Sequence, residues 1–252
     1  TLARLGGDEF AVLLESLADA DEARTVVTRL VQALQAPLTL EGRAVTVTAS
    51  IGLAVAAPGE DADTLLRHAD VAMYEARGAG KARHAVFEPA MYAAVIARLE
   101  LEADLREAAS DPAAHGFHLA YQPLVALENG TVQGVEALLR WTHPRRGAVS
   151  PATCVPLAEE TGLIVPLGRW VLESACAQLA AWAAAWQRAG RSASALPGLA
   201  VNVSGRQLEQ PDFVETVATV LRMTGAPAQK LTLEITESVL MPRGGAEGTD
   251  TT

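Results

Sequence analysis

Four short apolar runs, spaced by helical patterns, constrain the second half of this 252-residue chain more than any other feature. They are FHLAYQPLVAL from Phe117, TVQGVEALLRW from Thr131, LAVNVS from Leu199 and LTLEITES from Leu231. The first two flank a Glu128-Asn129-Gly130 turn. Helical patterns follow from Pro151 to Glu160, from Leu163 to Ala189 and around Phe213 to Met223. Strand, helix, strand, helix, strand is the grammar of βα units, which predicts a parallel sheet or barrel. Each run also carries polar residues inside it or at its end: Gln122, then Glu136 and Arg140, then Asn202, then Glu234 and Glu237. In α/β barrels the site is built at the carboxyl ends of the strands, so such groups can converge. Glu136, Asn202 and Glu234 offer two carboxylates and an amide oxygen, hard donors that suit Mg²⁺ or Mn²⁺. Arg140, four residues beyond Glu136, can take a phosphate with its planar fork. A plainer role as a helix cap or strand end stays open for each residue singly. Four runs in series weigh towards a shared site.

The first half has a different style. In ARLGGDEFAVLL, Gly6-Gly7-Asp8 predicts a hairpin turn between short apolar strands. Glycine accepts positive φ and lets a ligand come close. Asp8 and Glu9 would stand together at the tip, where like charges repel unless a cation or solvent answers them. A hard metal ion sharing phosphate oxygens would account for all four residues, and a solvated acidic turn is the open alternative. A helix is predicted over Ala23 to Leu34, closed by Pro37. LTLEGRAVTVTASIGLAV predicts a second hairpin, turning at Glu41-Gly42 and running on as a long strand. Asp61 or Asp63 caps another helix through Ala76, followed by the basic turn EARGAGKARH and a short strand. The sum is hairpins with helices on a largely antiparallel sheet. From Met91 to Ala109 a charged, alanine-rich helix is a natural connector, and the residues after Met241 lack periodicity and predict a disordered tail.

Composition excludes more than it assigns. A formal charge of −10 argues against a nucleic-acid polymer as partner, while a few local arginines still allow a small phosphorylated ligand. No apolar run approaches the ~20 residues that span a bilayer. Cys154 and Cys176 lack metal-ligand spacing and predict buried thiols in a reducing compartment, hence a cytoplasmic domain. None of the five histidines has an i, i+4 partner, so surface or structural roles are expected for all of them. Neither a nucleophile elbow nor a P-loop is present.

Both halves resemble a known pair. RLGGDEF, from Arg4 to Phe10, is similar to the signature of GGDEF-type diguanylate cyclases. YQP, EALLRW, VNVS and LEITES resemble the EAL-type cyclic-di-GMP phosphodiesterases, in the family's order. The resemblance implies an α+β partial GGDEF domain, of the nucleotidyl-cyclase-like type, followed by an α/β partial EAL domain of TIM-like barrel type. The corresponding ranges are 1–88 for the first, 89–110 for a linking helix, 111–241 for the second and 242–252 for the tail. It further implies Gly6 and Gly7 as nucleotide-facing glycines, with Asp8 binding metal and supporting attack of a ribose 3′-hydroxyl on the α-phosphate of GTP. Glu9 is then the second acid, and Arg77 and Lys81 hold phosphates. In the other half, Gln122 and Arg140 contact cyclic-di-GMP, Glu136, Asn202 and Glu234 bind Mg²⁺ or Mn²⁺, and Glu237 steadies a neighbouring loop. The family reaction there is metal-assisted opening of one phosphodiester to give the linear dinucleotide.

Against that pattern, the family's first cyclase strand would precede Thr1, and its later barrel strands, with a DDFG aspartate pair, would follow LEITES. The expectation is therefore a fragment, truncated at both ends, that lacks half of each site. Its parent would be a cyclic-di-GMP signalling protein, anchored to a membrane or not. The alternative is a non-catalytic module that binds GTP or cyclic-di-GMP. A half barrel would also expose a strand edge, which leaves room for a homodimer.

Overall fold

Apolar residues on either side of the glycine pair form two antiparallel strands, β1 (Leu2–Gly6) and β2 (Glu9–Val12), joined through Gly7 and Asp8. Gly7 has φ of 52°, a conformation that costs glycine little. Arg4 fastens this turn, its Nε and Nη2 donating to the Gly7 carbonyl at 3.0 and 2.6 Å. The computed structural model describes residues 1–17, 19–78 and 82–235. They divide into two units between Leu99 and Glu100.

In the first unit, α1 (Ala20–Leu34) starts where the Asp19 carboxylate accepts from the backbone N–H groups of Asp21 and Glu22. Its inner face buries Ala23 and Val27. β3 (Leu38–Leu40) and β4 (Arg43–Val45) form the second hairpin, with Glu41 and Gly42 both at positive φ. The long strand expected beyond Val45 does not form. β5 (Ile51–Leu53) instead pairs in parallel with β6 (His84–Val86) against α2 (Ala62–Gly78). Gly52 shows why: a Cβ there would lie 1.8 Å from the Ala69 carbonyl oxygen, so only a bare backbone can approach this helix so closely. Among the described residues the first unit thus holds three two-stranded ladders, not one largely antiparallel sheet. Asp61 caps α2 by accepting from the Thr64 N–H at 2.8 Å.

α3 (Pro89–Ala108) follows, and its last two turns bury Leu101, Asp104, Leu105 and Ala108. The second unit then runs β7 (Phe117–Val125), β8 (Val132–His143), β9 (Gly147–Val149), α4 (Pro151–Thr161), α5 (Ile164–Arg188), β10 (Gly198–Val203), α6 (Gly205–Leu208), α7 (Phe213–Thr224) and β11 (Leu231–Ile235). Its open sheet has the order β11-β10-β8-β7, with β9 added on β8. β8, β10 and β11 are mutually parallel, and β7 is antiparallel to β8.

Period-2 alternation decides what each face does. Leu119 and Tyr121, then Val135, Ala137 and Leu139, then Leu199 and Val201, then Leu231 and Leu233 all pack into one core with α5 and α7. Leu172, Ala175, Cys176 and Leu179 of α5 and Val220 of α7 complete it. A second core joins Leu101 and Leu105 of α3 to Phe117, Trp141, Leu157 and Leu167. There the Trp141 ring stacks on Phe117 at 4.6 Å, and its indole N–H donates to the His115 carbonyl at 3.0 Å. Among the described residues no helix is long and apolar enough to cross a membrane.

Candidate functional site

Because α5 and α7 occupy the face built by odd-numbered strand residues, the even-numbered ones share the other face. That face carries Gln122, Glu136, Arg140, Asn202 and Glu234. The register aligns them: Gln122 stands opposite Glu136, Glu136 opposite Ala200, and Asn202 opposite Glu234. Four consecutive strands therefore present, in order, an amide, an acid, an amide and an acid.

Glu136 and Asn202 are bonded directly, with Asn202 Nδ2 donating to Glu136 Oε1 at 2.7 Å. That bond occupies the amide's nitrogen and leaves Oδ1 as its oxygen donor. Glu136 and Glu234 are half-buried, whereas Asn202 and Gln122 are exposed. Glu136 sits in the middle of the twelve-residue β8, yet the parallel pairing of β8 with β10 ends one residue later, at Ala137. Beyond it β8 continues only against β7 and β9. Glu136 is thus at the carboxyl end of the parallel ladder, as Asn202 and Glu234 are one residue from the ends of their strands. Arg140, opposite His118, donates from Nη1 to the Leu139 carbonyl at 2.8 Å.

The donor set is two carboxylates and one amide oxygen, which fits a hard divalent cation. Among the described residues no three His, Cys, Asp or Glu side chains are grouped to hold a metal, so Asn202 is needed to make a third ligand. Just beyond Asn202, Ser204 opens α6 with a capping box to Gln207.

In the first unit, the hairpin gathers Gly6, Gly7, Asp8 and Glu9 at one exposed turn. A Cβ on either glycine would meet nothing within 4 Å, so the space over the turn is open. Arg77 is exposed in the last turn of α2. Lys81 and Glu237 lie outside the described residues.

A polar cluster that the sequence motifs did not single out stands at the end of α3. The buried Asp104 accepts from Arg145 Nη2 at 2.6 Å and from Arg146 Nε at 2.7 Å. His143 Nε2 lies 3.7 Å from the same carboxylate. The backbone N–H groups of Arg145 and Arg146 point at His143 Nδ1, at 3.3 and 3.2 Å, and so turn Nε2 towards Asp104. The Arg146 hydrogen bond, with the His143 and Arg145 charges, holds the Asp104 carboxyl below the ordinary carboxylate range despite burial. One signal was available: in LELEADLREA an acid falls between Leu101 and Leu105, on the helix's buried stripe. In the first unit, His68 stacks on Phe87 at 3.9 Å and pairs with Glu60 at 2.8 Å.

Comparison with known proteins gives two matches in series. Residues 1–83 match the diguanylate cyclase, GGDEF domain, and residues 102–247 match the EAL domain. Both families are generally metal-dependent. Among curated relatives, the bifunctional diguanylate cyclase/cyclic di-GMP phosphodiesterase MucR of Pseudomonas aeruginosa is 39% identical over 96% of this chain. The cyclic di-GMP phosphodiesterase NbdA of the same organism is 34% identical over 95% of it. The chain spans 34% and 29% of those two proteins, about a third of their length. Among solved structures, the EAL enzyme Bd1971 in its cGMP-bound form aligns with TM-score 0.54 and 26% identity, over 73% of this chain and 45% of that one. Its form bound to cAMP and cyclic-di-GMP aligns with the same score and identity, over 73% and 46%.

Proposed function

Because this chain belongs to the EAL domain family and carries a GGDEF domain ahead of it, we propose that it is part of a cytoplasmic cyclic-di-GMP signalling protein whose EAL unit is of the phosphodiesterase class. The observation that carries this is the 2.7 Å bond between Asn202 and Glu136, with Glu234 in register beside Asn202, on the sheet face the helices leave open. The four-strand sheet corresponds, in this proposal, to the first strands of a TIM-like barrel, and the polar face to its interior.

Glu136, Glu234 and Asn202 Oδ1 would hold Mg²⁺ or Mn²⁺. When bound, such a cation supplies charge neutralisation and Lewis-acid polarisation of a phosphodiester. The chain's own residues bind and orient. Gln122, level with Glu136 on the neighbouring strand, offers an amide to the substrate's polar edge. Arg140, tethered by one Nη to the Leu139 carbonyl, presents the rest of its fork to a phosphate. Asn202 holds Glu136 in one orientation, so the carboxylate need not reorganise when charge develops nearby. Glu237 is proposed, on sequence grounds, to steady the loop after β11. In the first unit, Gly6 and Gly7 leave room over the turn for a nucleotide. Asp8 and Glu9 would serve metal-dependent phosphoryl chemistry on GTP, with Arg77 and Lys81 as phosphate contacts.

A second proposal is a module that binds GTP or cyclic-di-GMP without turnover. The absence of a three-residue His/Cys/Asp/Glu group among the described residues favours it, because hydrolysis needs a more complete ligand set than binding. One experiment separates the two: cyclic-di-GMP with purified chain in Mg²⁺ or Mn²⁺, followed by chromatography and by equilibrium binding, with Glu136→Ala as control. Turnover lost on substitution supports the phosphodiesterase. Binding alone supports the module. A folded chain that does neither sinks both.

A further inference from the structure

The turn that follows Asn202 is locked more tightly than a four-residue helix requires. Ser204 Oγ accepts the Gln207 backbone N–H at 3.3 Å. The Gln207 side-chain oxygen in turn accepts the Ser204 N–H at 3.2 Å and its hydroxyl at 3.1 Å. Both residues are 7% exposed. A capping box at a solvent-facing helix start normally satisfies orphan donors. Here the carboxamide of Gln207 also rests on α5. A Cβ placed at Gly168 would lie 2.2 Å from its Nε2 and 2.4 Å from its Cδ. Gly168 is therefore the seat into which Gln207 fits.

We infer that Gln207, seated on Gly168, is a positioning residue for Asn202. The covalent path is two residues long, and it has little freedom: Val203 is buried at 3% and Ser204 holds fixed extended geometry as the cap. Asn202 is thus clamped on both sides, by its bond to Glu136 and by the locked turn behind it. Its consequence for metal affinity rests on the function proposed above, whereas the positioning itself does not.

The chain contains two asparagines, Asn129 and Asn202, so ¹⁵N-asparagine labelling gives two side-chain amide signals. Asn129, whose Oδ1 accepts from Thr131 in the β7–β8 turn, is the internal reference. Glu136→Gln assigns the Asn202 signal. Gly168→Ala pushes the Gln207 amide off its seat while adding a better helix former to α5, so the helix itself is not weakened. Gly168→Ala and Gln207→Ala should each shift the Asn202 signal and speed its hydrogen exchange, with Asn129 unmoved. The double variant should move it no further, and Gln207→Glu, which keeps the accepting oxygen, should restore it. An Asn202 signal that stays put in a folded Gly168→Ala or Gln207→Ala chain overturns the inference, as does additivity of the two changes. Mn²⁺ binding, followed by water-proton relaxation, should weaken about 10-fold or more in both variants, the usual cost of losing a residue that supports a ligand. Wild-type Mn²⁺ binding that Glu136→Ala leaves unchanged would refute the metal site alone, since the Asn202 signals still judge the positioning.

Discussion

Asp104→Asn is the substitution whose cost the structure defines most directly. It keeps the shape and removes the charge that answers Arg145, Arg146 and His143. Charge-assisted hydrogen bonds contribute about 1.5–3 kcal/mol net each when shielded from solvent. Arg145 is 76% exposed, so its bond is screened and counts for a few tenths. Arg146 is 30% exposed and also holds Glu100, so its bond to Asp104 counts nearly in full. The expected loss is therefore about 2–3 kcal/mol at neutral pH, or a midpoint lowered by roughly 5–10 °C for a unit of this size. All four tryptophans, at 141, 170, 182 and 186, lie in the second unit, so fluorescence melts report that unit alone. The pH dependence has a definite sign. Asp104 is depressed in the fold, so its contribution is complete above the unfolded carboxylate pKa and is lost as pH falls through the lower folded value. The gap between wild type and Asp104→Asn should be full above about pH 5, start to narrow as pH falls below about 4, and close only below the depressed folded value. A gap under ~0.5 kcal/mol at pH 7, or one that persists unchanged at pH 3, would refute the assignment.

Two further outcomes follow from the cores and from the acidic face. Burial raises both thiols, Cys176 to about 11, so a disulfide-exchange reagent at pH 8 should find neither cysteine in the native chain and both after unfolding; a fast-reacting thiol in the folded state would contradict the burial. A chelator should leave the tryptophan-detected midpoint of the second unit unchanged, while saturating Mn²⁺ raises it by the mass-action amount, about 2.7 kcal/mol at 100 times Kd; a fall in midpoint on chelation would mean the acidic face needs a cation to fold.

The second unit was more legible than the first, for a physical reason. In β7, β8, β10 and β11 the apolar residues fall on alternate positions, and one buried face fixes which side each polar residue takes. From the sequence this put Glu136, Asn202 and Glu234 on strands; the register that aligns them needed the structure. In the first unit the pattern marked strands but not partners. Thr46 to Ser50 looked like strand and forms none, because Gly52 is drawn against Ala69 of α2 and pairs its strand with β6, over thirty residues away. That pairing depends on a close approach that a valine–threonine run does not announce. The Asp104 cluster escaped for a similar reason: an acid among alanines and leucines on a charged helix is unremarkable until Arg145 and Arg146 arrive from β8 and β9's connection. Even the strand-end rule needed geometry, since Glu136 is mid-strand in sequence and terminal only in the parallel ladder.

The spacing of charge on the open face bears on how such a site can exist before any cation arrives. Glu136 and Glu234 are separated by the whole of β10, two strand spacings or roughly 10 Å of backbone. Asn202 stands between them and gives a hydrogen to one while adding no charge. Had that position been a third acid, neighbouring carboxylates on adjacent strands would have raised one another's pKa and strained the register. An amide in the middle separates the two half-buried acids without adding charge, with the strands held by the core behind them. The locked turn at Ser204 and Gln207 then matters because the amide has no charge of its own to hold it in place. The donor set proposed above therefore rests on backbone register and on the hydrogen bond from Asn202 to Glu136, a frame that would stand before a cation entered.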